Sequence, residues 1–147
     1  MIRLGKYEDV ASIVAMAGEF WQHTIYDEPL NHDIISRRAE SCIDNKLMAV
    51  LEIEGKVCGF ACGVMGGLLA NDDVIAGTEL AWWIDADHRQ SGYGVELLKF
   101  IEELARNAGI KYWNMVYMLS SMPKVVKEIY KSLGYQKTEV VYSKVLT

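Results

Sequence analysis

The chain has 147 residues, 51% of them hydrophobic and 24% charged, a composition that suits one globular domain and excludes a disordered or fibrous chain. Its 20 acidic and 15 basic side chains give a formal charge of −5, and the longest basic block is Arg37-Arg38, so no nucleic-acid partner is expected. Cys42, Cys58 and Cys62 form an odd set without clustered histidine, which argues against a disulfide framework or a metal site and for reduced thiols in a cytoplasm.

Mild acidity serves solubility first and could also attract a cationic amine. The opening residues turn polar at once, so no secretory signal is expected, and no membrane association either: the stretch 57–70 is too short and too rich in glycine to cross a bilayer. With no repeat and no Pro/Ser linker, residues 1–147 read as a single domain.

In chain order, Ile2 to Leu4 suggests a short strand, and Val10, Ile13, Val14, Ala17 and Trp21 then recur at helical spacing. Asp27-Glu28-Pro29 interrupts, and Asn31 is placed to cap a second helix carrying Ile34, Ile35, Ala39 and Cys42 on its apolar side. Two β-type runs, 46–53 and 56–64, flank Glu54-Gly55 as a hairpin. Residues 66–76 read as a loop with a Leu68-Leu69 tip, and 78–85 as a strong strand.

Leu97, Leu98, Ile101, Leu104, Ala105 and Ala108 mark an amphipathic helix that stops at Gly109. A strand over 111–119 follows, then a helix opened by Pro123, bearing Val125, Val126, Ile129, Tyr130 and Leu133 and closed by Gly134. A last strand is expected over 135–146. The resulting order, β-α-α-β-β-β-α-β-α-β, describes an α/β protein with a mixed central sheet flanked by about four helices.

The segment Arg89-Gln90-Ser91-Gly92-Tyr93-Gly94 joins the 78–85 strand to the following helix. Backbone amides at a helix N-terminus bind anions, and the glycines let that backbone approach a phosphate closely. The helix dipole contributes only roughly 0.3–1 kcal/mol, so direct N–H bonds must supply most of the grip. Arg89 adds a candidate charge-assisted contact. G-x-G alone more often marks an ordinary helix entry, and this loop has neither the Gly-Lys-Ser/Thr of a Walker loop nor the spacing of a dinucleotide fingerprint.

In context, Arg89-x-x-Gly92-x-Gly94 resembles the pyrophosphate loop of the GCN5-related N-acetyltransferase family, Arg/Gln-x-x-Gly-x-Gly/Ala. Further on, Tyr130-Lys131-Ser132-Leu133-Gly134-Tyr135 resembles that family's Tyr-x-x-Leu-Gly-Phe/Tyr ending, and the segment 51–60 is similar to its second-to-third-strand hairpin. The resemblance spans residues 46–135, with the N-terminal helices matching in layout only.

The resemblance implies transfer of an acetyl group from acetyl-CoA to a primary amine of a small molecule or peptide by direct attack. It places the pantetheine arm along Trp82, Trp83 and Ile84, in a gap between the 78–85 and 111–119 strands. The pyrophosphate falls on Gln90, Ser91, Gly92, Tyr93, Gly94 and Val95, beside Arg89. Tyr130 takes the role of proton donor to the departing thiolate, and Glu79 that of base, directly or through water. Without the motif, Tyr130 is a core tyrosine and Glu79 a polar strand-end residue. Asp85 is the weaker carboxylate candidate, while His23 would border the acceptor and His88 the phosphate loop. Trp21, Tyr26, Trp82, Trp83, Tyr117 and Tyr142 are aromatics that either pack or line a pocket.

Two departures stand out: Pro123 occupies the position where family members often carry Asn, and only 12 residues follow Tyr135. A tail too short for the usual closing hairpin, yet rich in Val and Tyr, favours a homodimer completed by another chain. An acyl-CoA-binding regulatory module without turnover, or a structural protein on the same fold, is the alternative reading.

Overall fold

Ile2–Leu4 forms strand β1, and the helical spacing that follows becomes helix α1, Val10–Trp21. The expected cap of α2, His32–Asp44, is present: the Asn31 side chain accepts from the Ile34 amide at 3.1 Å. Strands β2 (Met48–Ile53), β3 (Lys56–Leu68) and β4 (Asn71–Ile84) follow, then α3 (Tyr93–Asn107), β5 (Tyr112–Asn114) and α4 (Pro123–Ser132). The computed structural model describes residues 1–147 and divides into two units, Met1–Val116 and Tyr117–Thr147.

The first unit holds a five-stranded sheet in the order β1-β2-β3-β4-β5. Neighbours pair antiparallel except β4 and β5, which run parallel, so the sheet is mixed as expected. Helices α1 and α2 pack on one side of it. There Ile13, Met16, Ala17, Ala39 and Cys42 meet Met48, Val50, Phe60, Cys62 and Trp83. The alternate residues of β2 and β3, including Ala49, Leu51 and Ala61, are just as buried, because α3 packs against β1, β2 and β3 with Leu97, Leu98 and Ile101 fully enclosed. Burying each of these aliphatic side chains contributes about 1.5–3 kcal/mol, which makes the α3 stripe a main source of stability.

Three expectations need correction. Residues 66–76 are mostly hairpin, not loop: β3 runs to Leu68 and β4 begins at Asn71, with Gly66↔Ala76 and Gly67↔Ile75 in register. Backbone pairing with a partner strand overrides the turn-like composition of Gly66-Gly67. The strand expected over 111–119 is confined to Tyr112–Asn114. No strand forms over 135–146, where Val140, Val141, Tyr142, Val145 and Leu146 are exposed, because β-prone composition does not make a strand by itself. The second unit therefore comprises α4 and a segment without regular pairing. No helix is long and apolar enough to cross a membrane.

The start of the chain is tied to the sheet by charge. The Arg3 guanidinium donates to both Asp9 oxygens at 2.7 and 2.9 Å and to Glu52 at 2.7 Å, and the Lys6 amide donates to Asp9 at 2.8 Å. The Arg3 bonds hold the buried Asp9 carboxyl below its ordinary value, against the opposing effect of burial. A depressed folded-state pKa contributes stability above the unfolded pKa, and that contribution is lost as pH falls through the folded value. Asp9→Asn should therefore flatten the acid limb of a stability-against-pH curve measured by urea unfolding. Asp9→Ala should cost about 3 kcal/mol at neutral pH, since it leaves Arg3 without its main partner.

Candidate functional site

Strands β4 and β5 pair only through Ala76↔Tyr112, Gly77↔Trp113 and Thr78↔Asn114, and then part. Two features lie beside that point. The β3–β4 register jumps between Cys62↔Ala81 and Gly63↔Glu79, leaving Leu80 as a bulge that bends β4. The Trp113 ring fills the space a side chain would take at Gly63 and at Gly77, so this large indole rests directly on the backbone. Beyond Thr78, the side of β4 facing away from β3 has no strand partner. Because the Asp85 amide bonds back to Cys58 on β3, alternation turns the backbone groups of Trp82 and Ile84 toward that open side.

Glu79 lies at the point of parting. It is 5% exposed, and one carboxylate oxygen accepts the Val116 amide at 3.0 Å. Burial pushes its carboxyl up to about 7, and the Val116 bond opposes that rise only in part. Cys62 lies close enough to feel the Glu79 charge. Its thiol is raised by its hydrogen bond with Cys42, by burial and by that charge, while the Cys42 thiol donates to the Gly63 carbonyl at 3.3 Å.

At the far end of β4, a short turn over Ala86–His88 leads into the loop. Gln90 has φ 67° and Gly92 φ 85°, so two left-handed residues fold the chain back before α3 starts at Tyr93. Ser91 supports the bend by donating to the His88 carbonyl at 2.6 Å. The Val95 and Glu96 amides both bond the Gly92 carbonyl, which leaves the amides of Gly92, Tyr93 and Gly94 ahead of the helical ladder. A side chain at Gly92 would meet nothing within 4 Å, so the space beside the loop at that residue is open. Gly94 serves packing instead. Already inside α3, it sits where a Cβ would be 3.2 Å from the Trp82 ring.

The neighbouring residues divide between the faces of β4. Trp82 lies under the first turn of α3, whereas Trp83 belongs to the core beneath α1 and α2 and donates to Asp85 at 3.3 Å. His23, from the end of α1, packs its ring 5.5 Å from Trp83. The Arg89 guanidinium lies 4.4 Å over the same indole, with Nε donating to the Ile84 carbonyl at 2.8 Å. Arg89 thus fastens the loop to the end of β4. The structure brings Glu79, Trp82, Trp83, Ile84, Arg89, Gln90, Ser91, Gly92, Tyr93, Gly94 and Val95 along one strand and the helix entry after it. No group of three His, Cys, Asp or Glu side chains gathers as a metal-binding cluster.

Tyr130 belongs to the second unit, on α4. The Tyr135 amide bonds the Tyr130 carbonyl at 3.0 Å and the Gly134 amide bonds Lys131 at 3.2 Å, with Gly134 at φ 84°. This is a Schellman helix ending, and its accompanying side-chain contact is the Tyr130–Tyr135 ring pair at 5.4 Å. The Tyr-x-x-Leu-Gly-Tyr pattern therefore has a folding role of its own.

Sequence reasoning missed the Val116 amide, the proximity of Cys62 to Glu79, and the Trp113 seat. A backbone donor leaves no residue-type signal. The glycine pair Gly63 and Gly77 was the one available hint of a bulky neighbour.

The family model described as Acetyltransferase (GNAT) family matches residues 10–135, and this chain belongs to that family. Among solved structures, a predicted acetyltransferase with acetyl-CoA from Clostridium acetobutylicum shares 16% identity at TM-score 0.76, over 99% of this chain and 96% of that one. Glucosamine-6-phosphate N-acetyltransferase from Arabidopsis thaliana shares 16% at TM-score 0.75, over 100% and 98%. Ribosomal-protein-alanine N-acetyltransferase from Brucella melitensis shares 16% at TM-score 0.77, over 95% and 86%. No curated protein matches the sequence.

The Glu79 carboxyl has a consequence for stability. Its folded pKa is raised from 4.5 to about 7, so its contribution is full below 4.5 and is lost as pH rises through 7. The loss amounts to about 3 kcal/mol. Glu79→Gln, which cannot ionise, should remove this decline when urea midpoints are compared at pH 5 and pH 8.

Proposed function

We propose that the chain is an acetyl-CoA-dependent N-acetyltransferase, working as a single domain, that acetylates a primary amine of a small molecule or peptide by direct attack. The observation that carries this reading is the placement of a buried carboxyl with a pKa of about 7 where β4 and β5 part, on the same strand that leads to the helix-entry loop. The C. acetobutylicum neighbour solved with acetyl-CoA supports the choice of donor. Neighbours named for a sugar-phosphate amine and for a protein alanine support an amine acceptor.

The amides ahead of the α3 ladder receive the pyrophosphate, and the open side of β4 takes the pantetheine amides as an added strand would. Glu79 is partly ionised at neutral pH and accepts the proton of the attacking amine, directly or through one water. Tyr130 donates to the thiolate that leaves, since a phenol with a reference pKa near 10 is protonated at neutral pH. Attack forms the amide bond, the thioester C–S bond breaks, and CoA departs as the thiol. Three free cysteines support a reducing cytoplasm, and the exposed apolar tail supports a homodimer.

Gly92→Val should weaken acetyl-CoA binding by roughly tenfold or more in calorimetry, because the side chain would stand in the open space beside the amides that receive the pyrophosphate. The left-handed backbone there adds strain of roughly 1–2 kcal/mol, which a thermal midpoint would register separately. Gly94→Val is the contrasting variant: it should disturb Trp82 packing as well as binding. Unchanged affinity in folded Gly92→Val would remove the phosphate-loop assignment.

Tyr130→Phe keeps the ring contact with Tyr135 and removes the hydroxyl. Turnover, followed as thiol release across a panel of amines, should fall by about 10²–10⁴-fold with little change in acetyl-CoA affinity. Equal turnover under chemistry-limited conditions would leave Tyr130 with its helix-ending role alone. Acetyl-CoA binding by the parent without release for any amine would favour the regulatory module.

A further inference from the structure

Strand β5 ends at Asn114, whereas the residue whose amide meets the Glu79 carboxylate, Val116, lies beyond the last paired position. Past the ladder, side-chain contacts have to direct the chain, and Trp113 makes them. Its indole is wedged onto the backbone of two strands, since a Cβ at Gly77 would stand 2.7 Å from the ring and one at Gly63 closer still. The ring also packs against the buried cluster of Leu47, Ala105 and Ile110, so its orientation is fixed from several sides. From that seat Nε1 donates to the Met115 Sδ at 3.1 Å and ties down the residue immediately before Val116.

The register brings the same wedge to Glu79. Gly63 pairs with Glu79, and Gly77 stands two residues before it on β4, so these three positions share one face of the sheet, which the indole covers.

We propose that Trp113 is a positioning residue for Glu79 and acts through Met115: the seated indole holds Met115, Met115 fixes how the chain leaves β5, and the Val116 amide is thereby aimed at the carboxylate. The inference deepens the reading of Glu79 as the base, and only the kinetic half of its test rests on that reading. Packing alone asks for an apolar ring at position 113, while the bond to Met115 asks for a ring that carries an N–H donor. Phenylalanine meets the first demand and fails the second.

An amide held on a carboxylate favours its ionised form, so loss of the Val116 bond raises the Glu79 carboxyl above about 7. Burial and this amide set the balance at Glu79 between them. The Cys62 thiol, the titratable group that faces Glu79 from β3, is pushed well above its ordinary value and stays neutral over the same range.

The test is a carbon-13 NMR titration of the Glu79 carboxyl in the full-length chain, assigned by its loss in Glu79→Gln, with circular dichroism confirming that each variant is folded. Trp113→Phe, which keeps a ring over the glycines, and Met115→Leu, which keeps the volume, should each raise the Glu79 midpoint by roughly half to one pH unit. Val116→Pro deletes the amide itself and should raise the midpoint by about one unit or more. Adding Trp113→Phe to Val116→Pro should raise it no further, because both act on the same bond. Tyr112→Phe, elsewhere on β5, should leave the midpoint at its parent value. In the same variants, the ascending limb of kcat/KM against pH should move with the NMR midpoint. A Glu79 midpoint unchanged in Trp113→Phe and Met115→Leu, an equal shift in Tyr112→Phe, or shifts that add in full in the double variant overturns the positioning role. A midpoint that moves while the rate limb stays in place upholds the positioning of Glu79 and overturns its role as base.

Discussion

The hydrogen bond from the Val116 amide to the Glu79 carboxylate sits where two parallel strands stop pairing, and it resolves a conflict that the sheet creates there. An amide just beyond β5 needs an acceptor, and past Thr78 the neighbouring strand backbone has moved out of reach. A carboxylate can stand in for the missing carbonyl, but at 5% exposure it loses hydration that one amide does not replace. The outcome is a carboxyl near 7, poised between its two protonation states at neutral pH. The Leu80 bulge bends β4 at that level, and the Trp113 ring rests on glycine backbone just before it. The same geometry that isolates Glu79 thus leaves the rest of β4 open on one side.

Strand β4 also connects the layers. Trp82 and Trp83 are adjacent and point to opposite faces, one under α3 and the other beneath α1 and α2. Arg89 lies over Trp83 and bonds Ile84, so the loop after the strand is anchored to the α1/α2 core, while Gly94 lets the first turn of α3 settle on Trp82. The helix entry is therefore positioned from both faces of the sheet. Open space at its tip is compatible with a firm foundation for that reason.

Much of this was legible from residue order, and what was not has a common cause. The helices showed themselves because i, i+3, i+4 spacing is a property of one segment: Asn31 caps α2, and the Leu97–Ala105 stripe is buried as its pattern requires. The helix-entry loop was visible because glycine marks backbone conformation directly, as Gly92 does at φ 85°. Strand extent depends on partners elsewhere in the chain. Gly66-Gly67 looked like a loop and is paired, whereas Val140, Val141 and Tyr142 looked like a strand and are not. Glu79 could be named from its place in the motif order, but its burial and its bond to Val116 required the folded backbone. The ending at Tyr135 held a signal of a different kind, since its glycine and its two tyrosines also specify how α4 terminates.

The three thiols are enclosed, Cys42 at 3%, Cys58 at 2% and Cys62 at 7% exposure. A reagent in solution can reach them only after the structure opens, so alkylation of each reads an opening rate in place of an intrinsic reactivity. Cys42 joins α2 to β3 through its bond to Gly63, and its labelling is a clock for lifting α2 from the sheet. Cys58, whose carbonyl receives the Asp85 amide, is timed by separation of β3 from the end of β4. Mass spectrometry of the labelled positions thereby separates motion of the α2 layer from motion of the strand that leads to the loop, with no introduced probe.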